Sequence, residues 1–344
     1  MKMMQVSMVT AQEIAAQDIT QLYTLKKWQH NPKYSQAMLE AMRGIKHSDW
    51  TVTNRSELDA FASVAINTGK LPPMPDTWCY LRYDGRHSCD VKNTWAFVYQ
   101  KFAKFKVTGI PQFKVFNPKG NKKLKFFAFS TLPGTLGCPG MGACKDWCYS
   151  LKAWRYPAPF FRQLQNLILV QAQSEYIVEA FQAIPMGKTL RLYVDGDHDS
   201  YATLEMWFDL LKTRPDIEVY GYSKSWDLFL KYNASGQTFP SNYVLNLSSG
   251  SKYELLPLMK EQMLKLPITR NEFIAVQTPV AMPKEGRASL ELWMKFNKAV
   301  KVASKALGYK NVFVCPGKCY DCMPNGQHAC GNKAINVPVA IGIH

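Results

Sequence analysis

Seven cysteines in two short windows are the residues of this sequence best suited to chemistry. The first window reads Cys138-Pro-Gly-Met-Gly-Ala-Cys144-Lys-Asp-Trp-Cys148, a C-x5-C-x3-C spacing. The second reads Cys315-Pro-Gly-Lys-Cys319-Tyr-Asp-Cys322 and is completed by Cys330, giving C-x3-C-x2-C-x7-C. Thiolates are soft ligands that converge on zinc or on iron–sulfur clusters. In a reducing compartment such clustering favours metal over disulfides, because the thiols stay available. Three thiols leave one position of a four-iron cluster, or of tetrahedral zinc, without a ligand from the first loop. An open position is what a reactive centre needs. The first spacing lacks the C-x2-C knuckle of zinc ribbons, which favours an iron–sulfur cluster there, 4Fe-4S in type. Four thiols can close the second site completely, the pattern of a structural metal, and they suit a cluster or zinc. His328 is an alternative ligand there but fits better as a neighbour. Cys79 and Cys89 stand outside both windows and read as buried, inert thiols.

Further polar residues follow three segments with strand character. Residues 190–195 run into Gly196-Asp197-His198-Asp199-Ser200. Carboxylates in that turn can bind a substrate amine, a metal or a ribose; equally, Asp199 or Ser200 can simply cap the next helix. Residues 217–222 lead into Ser223-Lys224-Ser225, where a lysine can hold a phosphate or carboxylate. Residues 243–247 lead into Ser248-Ser249-Gly250-Ser251, small enough for close backbone approach. No nucleophile elbow, phosphate-binding glycine loop or HExxH helix is present, so hydrolase and nucleotidase readings lack support.

The elements that must position these residues alternate. After residue 106, β-type runs at 124–130, 190–195, 217–222, 243–247, 273–277 and 311–315 are separated by helical patterns at 160–182, 204–212, 226–231 and 290–307. Such βα alternation predicts an α/β fold with a mainly parallel sheet, a partial or open β/α barrel. In that sheet both cysteine loops, each following a strand, emerge on the rim where such folds place ligands. Residues 111–116 and 124–130 flank the turn-rich Asn-Pro-Lys-Gly-Asn-Lys-Lys and predict a hairpin with a basic tip. Upstream, helical spacing at 11–28, 34–45 and 57–66 predicts a helical N-terminal region, 1–105, ahead of an α/β metal-binding domain, 106–344. Residues 90–106 mix Trp95, Phe97, Tyr99, Phe102 and Phe105 with lysines, which fits an amphipathic element with its aromatics in a core better than a base-stacking platform.

The chain carries 42 Lys and Arg against 26 Asp and Glu, a formal charge of +16, which favours an anionic partner, most simply nucleic acid. The N-terminus lacks the sustained apolar stretch of a signal peptide, and the strongest apolar run, 167–170, is far short of a membrane span. The expectation is a soluble, cytoplasmic protein without a membrane partner.

The ordered set CPGMGACKDWCY, LYVDGDHDS, VYGYSKS and VCPGKCYDC resembles the phage and plasmid "gene product eighty-eight" family over roughly residues 110–344. One departure follows Gly196-Asp197, where the resemblance implies an aromatic and the sequence has His198. A looser similarity is to radical S-adenosylmethionine enzymes, in which three cysteines after the first barrel strand hold a four-iron cluster and an aromatic precedes the last of them, as Trp147 precedes Cys148. Those enzymes usually space their cysteines C-x3-C-x2-C. What this similarity implies is a cofactor, S-adenosylmethionine, with its amino group held at Gly196 and Asp197; Ser223 and Lys224, read from their own strand end, are the further cofactor-binding candidates. It also implies an auxiliary site at the four C-terminal cysteines. The alternative is a non-catalytic nucleic-acid-binding protein whose metal sites are structural or redox-sensing.

Overall fold

The computed structural model describes residues 47–73, 91–118, 126–155, 157–283, 289–319, 322–324 and 328–343. The helices expected at 11–28 and 34–45, the basic hairpin tip, Cys79 and Cys89 lie outside the described residues. The elements are α1 (His47–Asn67), α2 (Val91–Thr108), β1 (Phe127–Ala128), α3 (Pro157–Gln171), α4 (Glu175–Gln182), β2 (Thr189–Leu192), α5 (Tyr201–Thr213), β3 (Glu218–Ser223), α6 (Trp226–Ala234), β4 (Tyr243–Ser248), α7 (Pro257–Leu264), β5 (Thr269–Gln277), α8 (Leu290–Ala306), β6 (Phe313–Val314) and β7 (Val339–Ile343). Short 3-10 turns at Ala143–Asp146, Tyr149–Arg155 and Ala329–Gly331 complete the set. The chain divides into two compact units, Met1–Val115 with Tyr149–Leu169, and Phe116–Cys148 with Val170–His344.

The first unit is helical among the described residues, and its core is aromatic. Phe61 of α1 meets Phe161 of α3 edge-on at 5.8 Å between ring centroids, and Phe102 of α2 meets the same ring at 5.3 Å. Such contacts add to area burial by about 0.5–1.5 kcal/mol each. The buried polar tips are satisfied: Tyr99 OH donates to Pro72 O at 2.6 Å and Trp154 Nε1 to Gln163 Oε1 at 2.9 Å. The aromatics of the 90–106 segment with described side chains, Tyr99, Phe102 and Phe105, are all buried in this core.

In the second unit the seven strands form one all-parallel sheet in the order β1-β2-β3-β4-β5-β7-β6, curled into an open half-barrel with helices, an α/β fold. Parallel neighbours need a crossover, and α5, α6 and α7 supply it between β2, β3, β4 and β5. Alternation along the strands gives each face its own content. Tyr220 and Tyr222 of β3, Val244 of β4, Phe273 of β5 and Val339 of β7 pack together with the C-terminal cysteine segment. Ile274 and Val276 of β5 and Ala340 of β7 pack with Phe296 and Val300 of α8.

Three differences from the sequence expectation have local causes. The helix expected over 160–182 is broken: Gln173 turns through φ +48°, and Ser174 caps α4 by accepting from Tyr176 N. A seventh strand, β7, slips between β5 and β6. The hairpin expected before residue 130 survives as an antiparallel bridge between Asn117 and Ala128, and β1 pairs in parallel with β2.

Candidate metal centres

The three-cysteine loop follows β1 and is bound to the loops after β2, β3 and β4. Backbone bonds run from Gly142 N to Gly250 O at 2.9 Å, from Lys252 N to Gly140 O at 3.0 Å and from Asp197 N to Gly137 O at 2.8 Å. Approach this close requires glycine at two points. A Cβ on Gly140 would be driven into the Lys224 carbonyl, and one on Gly250 would stand 2.7 Å from Cys144 Cβ. Gly250 is further set at φ +79°, a left-handed conformation that glycine adopts freely.

The polar residues expected at this rim have definite places. Asp197 is buried; its Oδ2 accepts from Lys224 N at 2.7 Å and its Oδ1 from His198 N at 2.8 Å, so it ties the β2 loop to the β3 loop. Burial raises its pKa, against the pull of the Lys224 N–H. Gly196 turns at φ +79° with its α-carbon against Thr131. Ser223 Oγ accepts from Ser225 N at 3.0 Å, and Lys224 Nζ donates to Ser248 Oγ at 2.6 Å. Ser200, rather than Asp199, caps α5 by accepting from Thr203 N. Burial pushes the Cys138 thiol up, reinforced by the Asp197 carboxylate and opposed by the Lys224 ammonium. Burial also raises Cys144, again against Lys224.

The C-terminal cysteines leave β6 at the same rim but take a different course. Their segment folds over the sheet face lined by Tyr220 and Tyr222, with Cys330 buried and Cys315, Cys319 and Cys322 around it. Three of the four sulfurs meet an N–H donor. Gly317 N donates to Cys315 Sγ at 3.4 Å and Ala329 N to Cys322 Sγ at 3.3 Å. Arg191 Nη1 points to Cys319 Sγ at 4.0 Å. The Tyr222 hydroxyl favours the Cys330 thiolate through a hydrogen bond, as do the nearby Arg270 and Arg191 guanidiniums, although burial still pushes that thiol up to about 11. A neutral thiol is a poor acceptor, whereas a thiolate ligand needs such donors. His328 lies between the rings of Tyr220 (4.4 Å) and Phe126 (4.8 Å), and burial holds it near pKa 4, which suits a neutral neighbour.

All seven described cysteines are free thiols. Among the described residues, no three His, Cys, Asp or Glu side chains are gathered closely enough to hold a metal ion. The two cysteine groups also sit in different electrostatic settings. Asp197 and Lys224 act on the first group, and Arg191 and Arg270 on the second.

Sequence reasoning missed Arg191, Tyr222, Asn246 and Arg270, which surround the C-terminal cysteines. The available signal was a lone arginine in each of two strands, Thr-Leu-Arg-Leu and Thr-Arg-Asn-Glu-Phe-Ile, where burial demands a partner.

No helix among the described residues is long and apolar enough to cross a membrane. No curated protein and no solved structure matches the chain. The family model described as Gene product 88 matches residues 111–334, a span that contains both cysteine groups and all but the last strand of the sheet. The chain belongs to the Gene product 88 family.

Proposed function

We propose that this chain is an iron–sulfur protein of phage or mobile-element type with two thiolate centres, acting as a radical S-adenosylmethionine-like enzyme on an anionic substrate, nucleic acid foremost. Cys315, Cys319, Cys322 and Cys330 would hold the auxiliary centre. Cys138, Cys144 and Cys148 would hold the reactive one, its fourth position left for S-adenosylmethionine. What supports the metal reading is the spacing of the seven cysteines together with the N–H groups directed at Cys315, Cys319 and Cys322. Zinc is the alternative occupant of that site.

A four-iron cluster held by Cys138, Cys144 and Cys148 would supply one-electron reduction of a sulfonium cofactor. The chain's own groups would do the rest. Lys224, whose ammonium acts on both Cys138 and Cys144, offers a positive charge to a ligand carboxylate. Asp197, with its oxygens on two backbone N–H groups, holds the Gly196 turn in place beside the cysteine loop. Free thiols throughout the described cysteines support a reducing, cytoplasmic setting.

Anaerobically reduced protein is expected to cleave S-adenosylmethionine reductively, read as release of methionine. An intact cluster without cleavage would remove the enzymatic reading. The charge of +16 favours a second reading, a non-catalytic nucleic-acid-binding protein with structural or redox-sensing metal sites. It requires binding that weakens steeply with added salt, and salt-independent binding counts against it.

A further inference from the structure

We propose that the outward face of α8, through Lys298, Lys301 and Lys305, docks the phosphate backbone of nucleic acid. This rests on the reading of nucleic acid as the anionic partner, and it adds where on the second unit that partner sits.

The two faces of α8 have opposite character. Phe296, Val300 and Ser304 are buried, and Phe296 and Val300 pack with Ile274 and Val276 of β5. The opposite face carries Lys298, Lys301 and Lys305, all exposed. Spaced three and four residues apart, they form one stripe about 10 Å long at about 1.5 Å rise per residue. Lys295 is exposed too, but Glu291 holds it at 2.7 Å. Glu291 is the one acid of the helix. From Leu292 to Tyr320 the sequence has six lysines and no aspartate or glutamate.

The helix itself gains little from this stripe. Like charges three and four residues apart repel on a helix surface. The helix dipole favours Lys305, which lies in the last turn, and fades before it reaches Lys298 and Lys301. A polyanion laid along the stripe turns that repulsion into attraction. Duplex DNA suits it, because the backbone presents closely spaced charges and each phosphate neutralised by a lysine releases counterions. A lipid surface suits it less. An interfacial helix sinks its apolar face into the acyl boundary, whereas the apolar face of α8 is already spent on the sheet. Outward, Met294 and Val302 stand singly among the lysines.

The test titrates the full chain with labelled duplex DNA of mixed sequence at several salt concentrations, read by fluorescence anisotropy. The parent chain is expected to bind with a steep salt dependence. Replacing Lys298, Lys301 and Lys305 together by glutamine, which is as good a helix former, should flatten the slope of log affinity against log salt by about 2 to 3 units. Affinity at low salt should fall by about tenfold or more. The same three replaced by arginine should keep the parent slope. Lys188, Lys231 and Lys265, exposed elsewhere on the second unit, replaced by glutamine remove the same charge and should leave the slope nearly unchanged. Equal flattening in both glutamine triples means a general field and overturns the dedicated surface. A parent slope kept by the α8 triple overturns this inference while nucleic-acid binding stands. A parent chain that binds no DNA, or binds it independently of salt, overturns the nucleic-acid reading and the inference with it. Binding to phosphatidylserine vesicles but not to DNA, lost in the α8 triple, assigns the face to a membrane and overturns the proposal.

Discussion

Gly140→Ala is expected to destabilise the second unit by about 3 kcal/mol or more, well beyond the usual effect of a single added methyl group. The added Cβ would be driven into the Lys224 carbonyl and its carbon, with Ser225 N close behind. Those are backbone atoms at the end of β3, and neither side can move far. Gly140 O accepts from Lys252 N at 3.0 Å, and Asp197 holds Lys224 N at 2.7 Å. A shift that relieved the clash would therefore loosen the cysteine loop, the β3 loop and the β4 loop together. Gly187→Ala is the matched control. Gly187 also lacks a side chain at φ +66°, but nothing lies within 4 Å of its Cβ position. It should cost only the left-handed backbone strain, about 1–2 kcal/mol. Chemical denaturation of both variants checks the difference; equal midpoints would show that the cysteine loop is not packed as described.

His198→Phe is expected to stabilise the protein, by on the order of 1–3 kcal/mol at neutral pH. His198 is buried in an aromatic slot, 4.6 Å from Tyr193 and 5.4 Å from Phe229 between ring centroids. Among the described residues neither ring nitrogen has a hydrogen-bond partner. Burial lowers its pKa from 6.5 to about 3, so the folded chain keeps the ring neutral where an unfolded chain would protonate it. The sign follows directly: the unfolded state binds the extra proton between pH 6.5 and about 3, so stability falls as the pH drops through that window. The loss attributable to this one group is on the order of 5 kcal/mol. Phenylalanine removes both the unsatisfied nitrogens and the acid-sensitive proton. Denaturation midpoints at pH 7 and pH 4 should rise, with the larger gain at pH 4. An unchanged acid limb would mean that the ring is not held neutral.

His198 also explains the local departure in sequence. The family resemblance implies an aromatic after Gly196-Asp197, and the structure shows an aromatic slot at that position. The histidine acts there as packing, whereas Asp197 beside it spans two loops.

Strand positions were legible where burial on both faces writes a β-branched and aromatic run, as in β3 and β4. β7 was not, although Val-Ala-Ile-Gly-Ile after Pro338 has strand character, because a short run after a cysteine loop reads equally as a tail. Its place between β5 and β6 is a tertiary choice that no local pattern encodes. The break between α3 and α4 was hidden for another reason: Gln173 adopts positive φ without being glycine, and only Ser174 before Glu175 marks the new helix.

The cysteine groups themselves were plain in the spacing. The surroundings that separate them were not, because Arg191, Asn246 and Arg270 come from strands far along the chain from the thiols they face. Both loops leave one rim, as the parallel sheet requires. Only the fold shows the second group turning back over the Tyr220 and Tyr222 face.

The most direct test of two iron–sulfur centres is elemental analysis of anaerobically purified full-length protein, with iron, acid-labile sulfide and zinc counted per chain. The account predicts iron and sulfide in equal amounts, about eight of each for two four-iron clusters, falling by half when Cys330 and Cys319 are replaced by alanine. Zinc alone, or no metal at all, would contradict it.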